Sequence, residues 1–207
     1  MQQEWVSLDE RQRDALREVA NIGAGHAATA LSQMTDRVIM INVPEVQIRR
    51  LEEVAELLGP PETQVAAIAM HMMGDLTGQS MVILPAAAAQ TLCDLLLRRP
   101  PGTTREFGVM EQSSLKETGN ILTSAYLTAL SDFMGMMLVP SIPSLVTDYV
   151  GAVLTTAHVN FQRDRDVVFC VDTAFRVEGA REPLQGEFIL LPDSASLTAI
   201  FDAIRLT

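Results

Sequence analysis

"LREVANIGAGHAATALSQMTDRVIMINVP", residues 16–44, returns ninety-nine residues later as "LKETGNILTSAYLTALSDFMGMMLVPSIP", residues 115–143. Leu16 aligns with Leu115, Glu18 with Glu117, Asn21 with Asn120, Ala30 with Ala129 and Leu31 with Leu130, and both copies end on a proline, Pro44 and Pro143. A second correspondence, "LTGQSMVILP" at 76–85 with "LQGEFILLP" at 184–192, has an offset near 108. The chain reads as an internal duplication with a modest insertion in its second half. Whatever one half forms, the other should form too.

Each half opens on a long helix, because Leu16, Val19, Ala20, Ala24, Ala27 and Leu31 recur at spacings of three and four. Asp9 or Ser7 is placed to cap it. The β-rich "RVIMINV" follows and is halted at Pro44, which lacks an amide donor; Pro143 does the same after "MMLVPSI". Shorter helical segments are expected around 51–58 and 145–156. Two further strands come next in each half, "TQVAAIAMHMM" with "GQSMVILP" and "DVVFCVDTAFRV" with "GEFILLP", and each half closes on a helix, at 86–97 and 194–204.

The expected fold is α+β: one domain over 1–207 with pseudo-twofold symmetry, built on a twisted, largely antiparallel sheet with three or so strands per half. Two long helices pack on it with the shorter ones. The repeats cover about 1–98 and 108–207, and residues 99–107, within "RRPPGTTREFG", read as an exposed, turn-rich connection.

Composition narrows the function. At 207 residues and 48% apolar, the chain has material for a sizeable core. Its 15 Lys plus Arg against 26 Asp plus Glu, a formal charge of −11, opposes a phosphate backbone and argues against nucleic-acid binding. Cys93 and Cys170 lack Cys-x-x-Cys spacing and read as buried, reduced thiols. The charged N-terminus has no apolar signal core and no run is long enough for a membrane span, so a cytoplasmic protein is expected. His26, His71 and His158 stand at no metal-ligand spacing, and the eleven methionines are expected in the core.

Gly23, Gly25 and Ala28 spell Gly-x-Gly-x-x-Ala, which in a strand-to-helix turn cradles a pyrophosphate. Here the glycines fall inside a helical pattern, and the second copy has Leu122 and Ser124 in their places. They read instead as small residues that let helices approach closely, at about 1 kcal/mol of helix propensity each.

The polar residues behave in the opposite way. Asp14, Glu18 and Asn21 occupy i, i+4 and i+7 on one helix face; Ser113, Glu117 and Asn120 repeat the spacing, and a proline follows each Asn by 23 residues. From ordinary residue frequencies such a pattern starts at a given position with probability on the order of 10⁻⁵. An amide is neither nucleophile nor base, but it donates and accepts at once, so it can hold a water in line with a phosphorus atom. A carboxylate beside it can anchor a partner's lysine. Such a site is completed by another protein.

At these residues the chain resembles the CheC family of chemotaxis phosphatases: Asp14, Glu18, Asn21 and Pro44, then Ser113, Glu117, Asn120 and Pro143, match both copies of its signature. "NIGAG" and "LTALSDFMG" extend the likeness. The resemblance implies hydrolysis of the phospho-aspartate of the response regulator CheY. Asn21 and Asn120 would orient the attacking water, and Glu18 and Glu117 would dock the regulator. Mg2+ would be carried by the regulator, with no cofactor of the chain's own, and two active faces would sit on a monomer. It also implies docking of the receptor deamidase CheD, as a heterodimer, on a helix after the second proline carrying Leu145, Val146, Asp148 and Tyr149. The alternative is a non-catalytic adaptor that binds CheY-phosphate or CheD. A flagellar-switch phosphatase is disfavoured as an expectation because no further module follows Thr207.

Overall fold

The computed structural model describes residues 9–42, 46–161, 167–177 and 183–205. The same run of elements occurs twice. In the first half it is α1 (Glu10–Thr35), β1 (Ile39–Asn42), β2 (Val46–Arg50), a 3-10 turn (Leu51–Glu53) leading into α2 (Val54–Leu58), β3 (Gln64–Gly74), β4 (Gly78–Pro85) and α3 (Ala86–Leu96). The second half follows with α4 (Val109–Met134), β5 (Leu138–Pro140), β6 (Ser144–Tyr149), α5 (Val150–Phe161), β7 (Val167–Val177), β8 (Leu184–Pro192) and α6 (Ser194–Arg205). The long helices are each 26 residues.

Their ends show how two diverged sequences reach one shape. Asp9 caps α1 in a reciprocal capping box: its carboxylate accepts the Gln12 amide at 2.9 Å, and the Gln12 side chain accepts the Asp9 amide at 2.9 Å. At α4 the N-cap is Gly108, which offers no side chain; the Gln112 side-chain amide donates to the Phe107 carbonyl at 2.8 Å instead. Both helices stop on a left-handed residue at the same repeat position, Asp36 (φ 56°) and Gly135 (φ 63°).

All eight strands join one antiparallel sheet in the order β1-β7-β8-β4-β3-β5, with β2 also on β7 and β6 also on β3. The first two strands of each half therefore pair with the other half. Val46 stands opposite Val171 across β2 and β7, and Ser144 opposite Ala69 across β6 and β3. The halves meet in the middle, where β4 pairs β8 with Val82 opposite Phe188.

The sheet is covered on both faces. Ala66, Ile68, Val82, Leu84, Phe188 and Leu190 point to the side occupied by α1, α4, α3 and α6. Their chain neighbours Val65, Ala67, Met81, Ile83, Ile189 and Leu191 point to the side of α2 and α5. This explains why "AAIAM", "MVIL" and "FILL" are unbroken apolar runs rather than alternating ones.

Two expectations are corrected. Residues 145–149 were expected in a helix; they lie in β6, and α5 begins only at Val150. Strand β2, at the matching place in the first half, was likewise not anticipated. Both pair with strands of the opposite half, a long-range partnership that local periodicity does not register. The sheet accordingly has four strands per half.

The connection between halves is exposed along most of its length and is anchored from α3. The Asp94 carboxylate is buried and accepts three backbone amides: Gly102 at 2.6 Å, Thr103 at 3.0 Å and Thr104 at 2.8 Å. Burial alone would raise its pKa, but Thr104 and the amides of Gly102 and Thr103 outweigh it and hold the carboxyl below its ordinary value. Arg99 pairs with Glu111 in the first turn of α4. The second correction is partial: Met70, Met72 and Met81 are buried, whereas Met73 and Met137 are exposed. Cys93 and Cys170 are free and buried.

Candidate functional site

On α1, Asp14, Glu18 and Asn21 are all solvent-exposed while their neighbours Leu16, Val19, Ala20 and Ala24 are buried. The apolar stripe fixes the helix against the sheet, so the opposite face is committed to solvent. On α4, Leu115, Thr118, Gly119 and Leu122 are buried, which turns Ser113 and Glu117 outward and leaves Asn120 half-buried. Gly119 lets α4 seat against Ile68 of β3, where a β-carbon would collide. Gly23 lets α4 seat against α1 in the same way, whereas a β-carbon on Gly25 would meet open space. Close approach thus explains the first glycine of "GAG" and not the second.

Asp14 forms an exposed ion pair with Arg17 at 2.8 Å. Among the described residues, the side chains of Glu18, Asn21, Glu117 and Asn120 have no hydrogen-bond or ion-pair partner within the chain. An unpartnered carboxylate one turn from an unpartnered amide is available for intermolecular hydrogen bonds without first breaking internal ones.

Two further side chains share these faces and were passed over in the sequence. Arg17 and Lys116 hold one repeat position, immediately before each Glu and one turn before each Asn. The signal was present in the composition: Lys116 is the only lysine in the chain.

Pro44 lies outside the described residues. Pro143 is half-buried between β5 and β6. Leu145, Val146, Asp148 and Tyr149 are on β6, with Val146, Asp148 and Tyr149 exposed and Leu145 packed on the main core. Among the described residues β6 pairs only with β3, so its other edge is open. Also among the described residues, no group of three or more His, Cys, Asp or Glu side chains is placed to hold a metal ion, and no helix is long and apolar enough to cross a membrane.

An α+β sandwich of this topology is shared with proteins of the flagellar switch. The crystal structure of FliY from Thermotoga maritima superposes with a TM-score of 0.78 at 20% identity, covering 96% of this chain and 98% of that one. Sequence comparison is more specific. Residues 12–48 match the CheC-like family, a stretch that includes the whole first motif from Asp14 to Pro44. The CheY-P phosphatase CheC of Bacillus subtilis is 35% identical over 95% of both chains. The flagellar motor switch phosphatase FliY of the same organism is 26% identical over 60% of this chain and 32% of its own length. The chain belongs to the CheC family.

Proposed function

We propose that this chain hydrolyses the phospho-aspartate of CheY on two faces, one on α1 and one on α4. In each, the amide of Asn21 or Asn120 holds the attacking water in line with phosphorus, donating and accepting at once. Glu18 or Glu117, one turn earlier, engages a cationic side chain of the regulator and so sets the angle at which the amide enters. Asp14 and Ser113 complete the motif on each face, and Mg2+ is brought by the regulator as part of the substrate. The reaction takes place in the cytoplasm.

The observation that carries this reading is the duplicated pair of internally unpartnered Glu and Asn side chains, exposed except for a half-buried Asn120, on two helices whose buried faces are largely rebuilt. Helix propensity gives no reason to keep Asn twice on a solvated face. The relationship to CheC, named a CheY-P phosphatase, supports the reading. Docking of CheD on Leu145, Val146, Asp148 and Tyr149 would use an open strand edge instead of a helix face.

The test is phosphate release from phospho-CheY at catalytic amounts of the chain, with Asn21→Ala, Asn120→Ala and the double variant. Turnover by the wild type that only the double variant abolishes supports two faces. A rate that never exceeds the regulator's own decay leaves an adaptor.

A further inference from the structure

The two faces differ at one position that changes their charge. On α1 the order is Asp14, Arg17, Glu18, Asn21; on α4 it is Ser113, Lys116, Glu117, Asn120. In both, residues at i, i+3, i+4 and i+7 form a diamond on the helix surface, with neighbouring β-carbons about 5–6 Å apart. Each diamond holds one cation. In the first, Asp14 claims it, at 2.8 Å from the Arg17 guanidinium. In the second, Ser113 carries no charge, and Lys116 has no hydrogen-bond or ion-pair partner among the described residues.

Side chains on a helix lean toward its N-terminus, so Arg17 and Lys116 extend toward positions 14 and 113 and away from the amides. Their reach is to the rim of the docked surface. The α1 diamond thus presents two carboxylates and one cation that is already paired. The α4 diamond presents one carboxylate and one unpaired ammonium. Arg11 does not restore the balance near Asn21, since it stands ten residues up the helix, about 15 Å along the axis and beyond the screening length at physiological salt.

We infer that the two faces are unequal, with Lys116 making α4 the tighter docking face for the anionic, phosphorylated surface of the regulator and Asp14 weakening α1 by neutralising Arg17. The inference rests on the phosphatase reading. Lys116 and Arg17 are positioning residues: they act on encounter and affinity, and the chemical step is left to the amides. A rim charge of this kind changes association and its salt dependence more than the rate of the bound complex.

The experiment uses full-length chains with one face silenced. Asn21→Ala leaves the α4 face and Asn120→Ala leaves the α1 face; KM and kcat for phospho-CheY are measured at low and high salt. The α4-only chain is expected to show the lower KM, by roughly fivefold, and the steeper rise of KM with salt. Lys116→Ala in that background should raise KM roughly fivefold and flatten the salt dependence at unchanged kcat, while Lys116→Arg keeps both. Asp14→Ser in the α1-only chain should lower KM. Equal KM values for the two faces, or a Lys116→Ala chain with unaltered KM and salt slope, overturn the inference.

Calorimetric titration with CheY bearing beryllofluoride on its aspartate separates this result from failure of the parent reading. If no chain turns over, the phosphatase reading falls, and loss of analogue affinity in Lys116→Ala, or its absence, still decides the role of Lys116.

Discussion

Gly23 of α1 lies so close to Tyr126 of α4 that a β-carbon on the glycine would stand 2.6 Å from the ring Cδ1 and 3.0 Å from the tyrosine Cα. The ring is held by contacts of its own. It stacks on Phe188 with centroids 4.5 Å apart, its hydroxyl is 3.5 Å from Thr173 Oγ1, and burial raises its pKa to about 12. Gly23→Ala is therefore expected to destabilise by about 1–3 kcal/mol through overpacking, despite the gain in helix propensity. Gly25→Ala, in open space, should stabilise by about 0.5–1 kcal/mol. Urea unfolding of the two variants checks the order; equal stabilities would show that the helices part easily at Tyr126.

Removing both amides should lower catalysed phosphate release by roughly 100-fold or more, the scale of losing a positioned hydrogen-bonding group from a reacting centre. Each single variant should retain the turnover of its other face. Because Asn21 is exposed and Asn120 half-buried, without internal partners, unfolding stability should stay within about 0.5 kcal/mol of wild type. A large stability loss in either variant would assign the amide a structural role.

Asp94 links the connection between halves to α3, so Asp94→Ala strands three amides and should cost roughly 3 kcal/mol. Its folded pKa is lowered from 3.8. The stabilisation is thus fully present above the unfolded value and is lost as pH falls through the lower, folded one. In urea melts from pH 7 to pH 2.5, the difference between wild type and Asp94→Asn should shrink only below about pH 4; a difference independent of pH would exclude an ionised Asp94.

Glu187 on β8 behaves in reverse. Burial first, and then the Asp172 carboxylate, raise its pKa to about 7 against the pull of Arg49. Its Oε2 is buried without a hydrogen-bond partner. The folded chain keeps this proton longer than the unfolded one, so its contribution declines as pH rises from about 4.5 to about 7 and is flat above that. Glu187→Gln should gain about 1 kcal/mol over wild type at pH 8, well below the full shift because the residue is only half-buried, and nothing at pH 4. Thermal melts at the two pH values decide.

Asp36 ends α1 at φ 56°, ψ 35°, where the second copy has Gly135 at φ 63°. Glycine takes this conformation without the steric cost that a side chain carries. Asp36→Gly is expected to raise stability by roughly 0.5 kcal/mol and Gly135→Ala to lower it by about 1 kcal/mol. A melting temperature for Asp36→Gly below that of wild type would indicate that the aspartate makes a compensating contact.

The long helices, the closing helices and the hairpin strands were legible because each is set by its own residues: a spacing of three and four, a proline, a short apolar run. β2 and β6 were not, because they are strands only in company with β7 and β3, more than seventy residues away. Leu145, Val146 and Tyr149 suit a helix face as readily as a strand until that partner is known. At the candidate site, the Glu and Asn positions could be read from repetition, since solvated positions otherwise drift. Arg17 and Lys116 escaped because a basic residue on a helix surface is common; the distinction between them lies in the Asp14 ion pair, a matter of three-dimensional contact.

The strand exchange also constrains how the polypeptide is made. As the chain leaves the ribosome, β1 and β2 emerge more than a hundred residues before β7, the strand that receives them, and so wait without a partner until β7 has been made. A product truncated after α3 would carry the whole first Glu-Asn motif, yet have nowhere to lay the strands that follow it. Neither motif can be displayed on a finished scaffold until both have been synthesised.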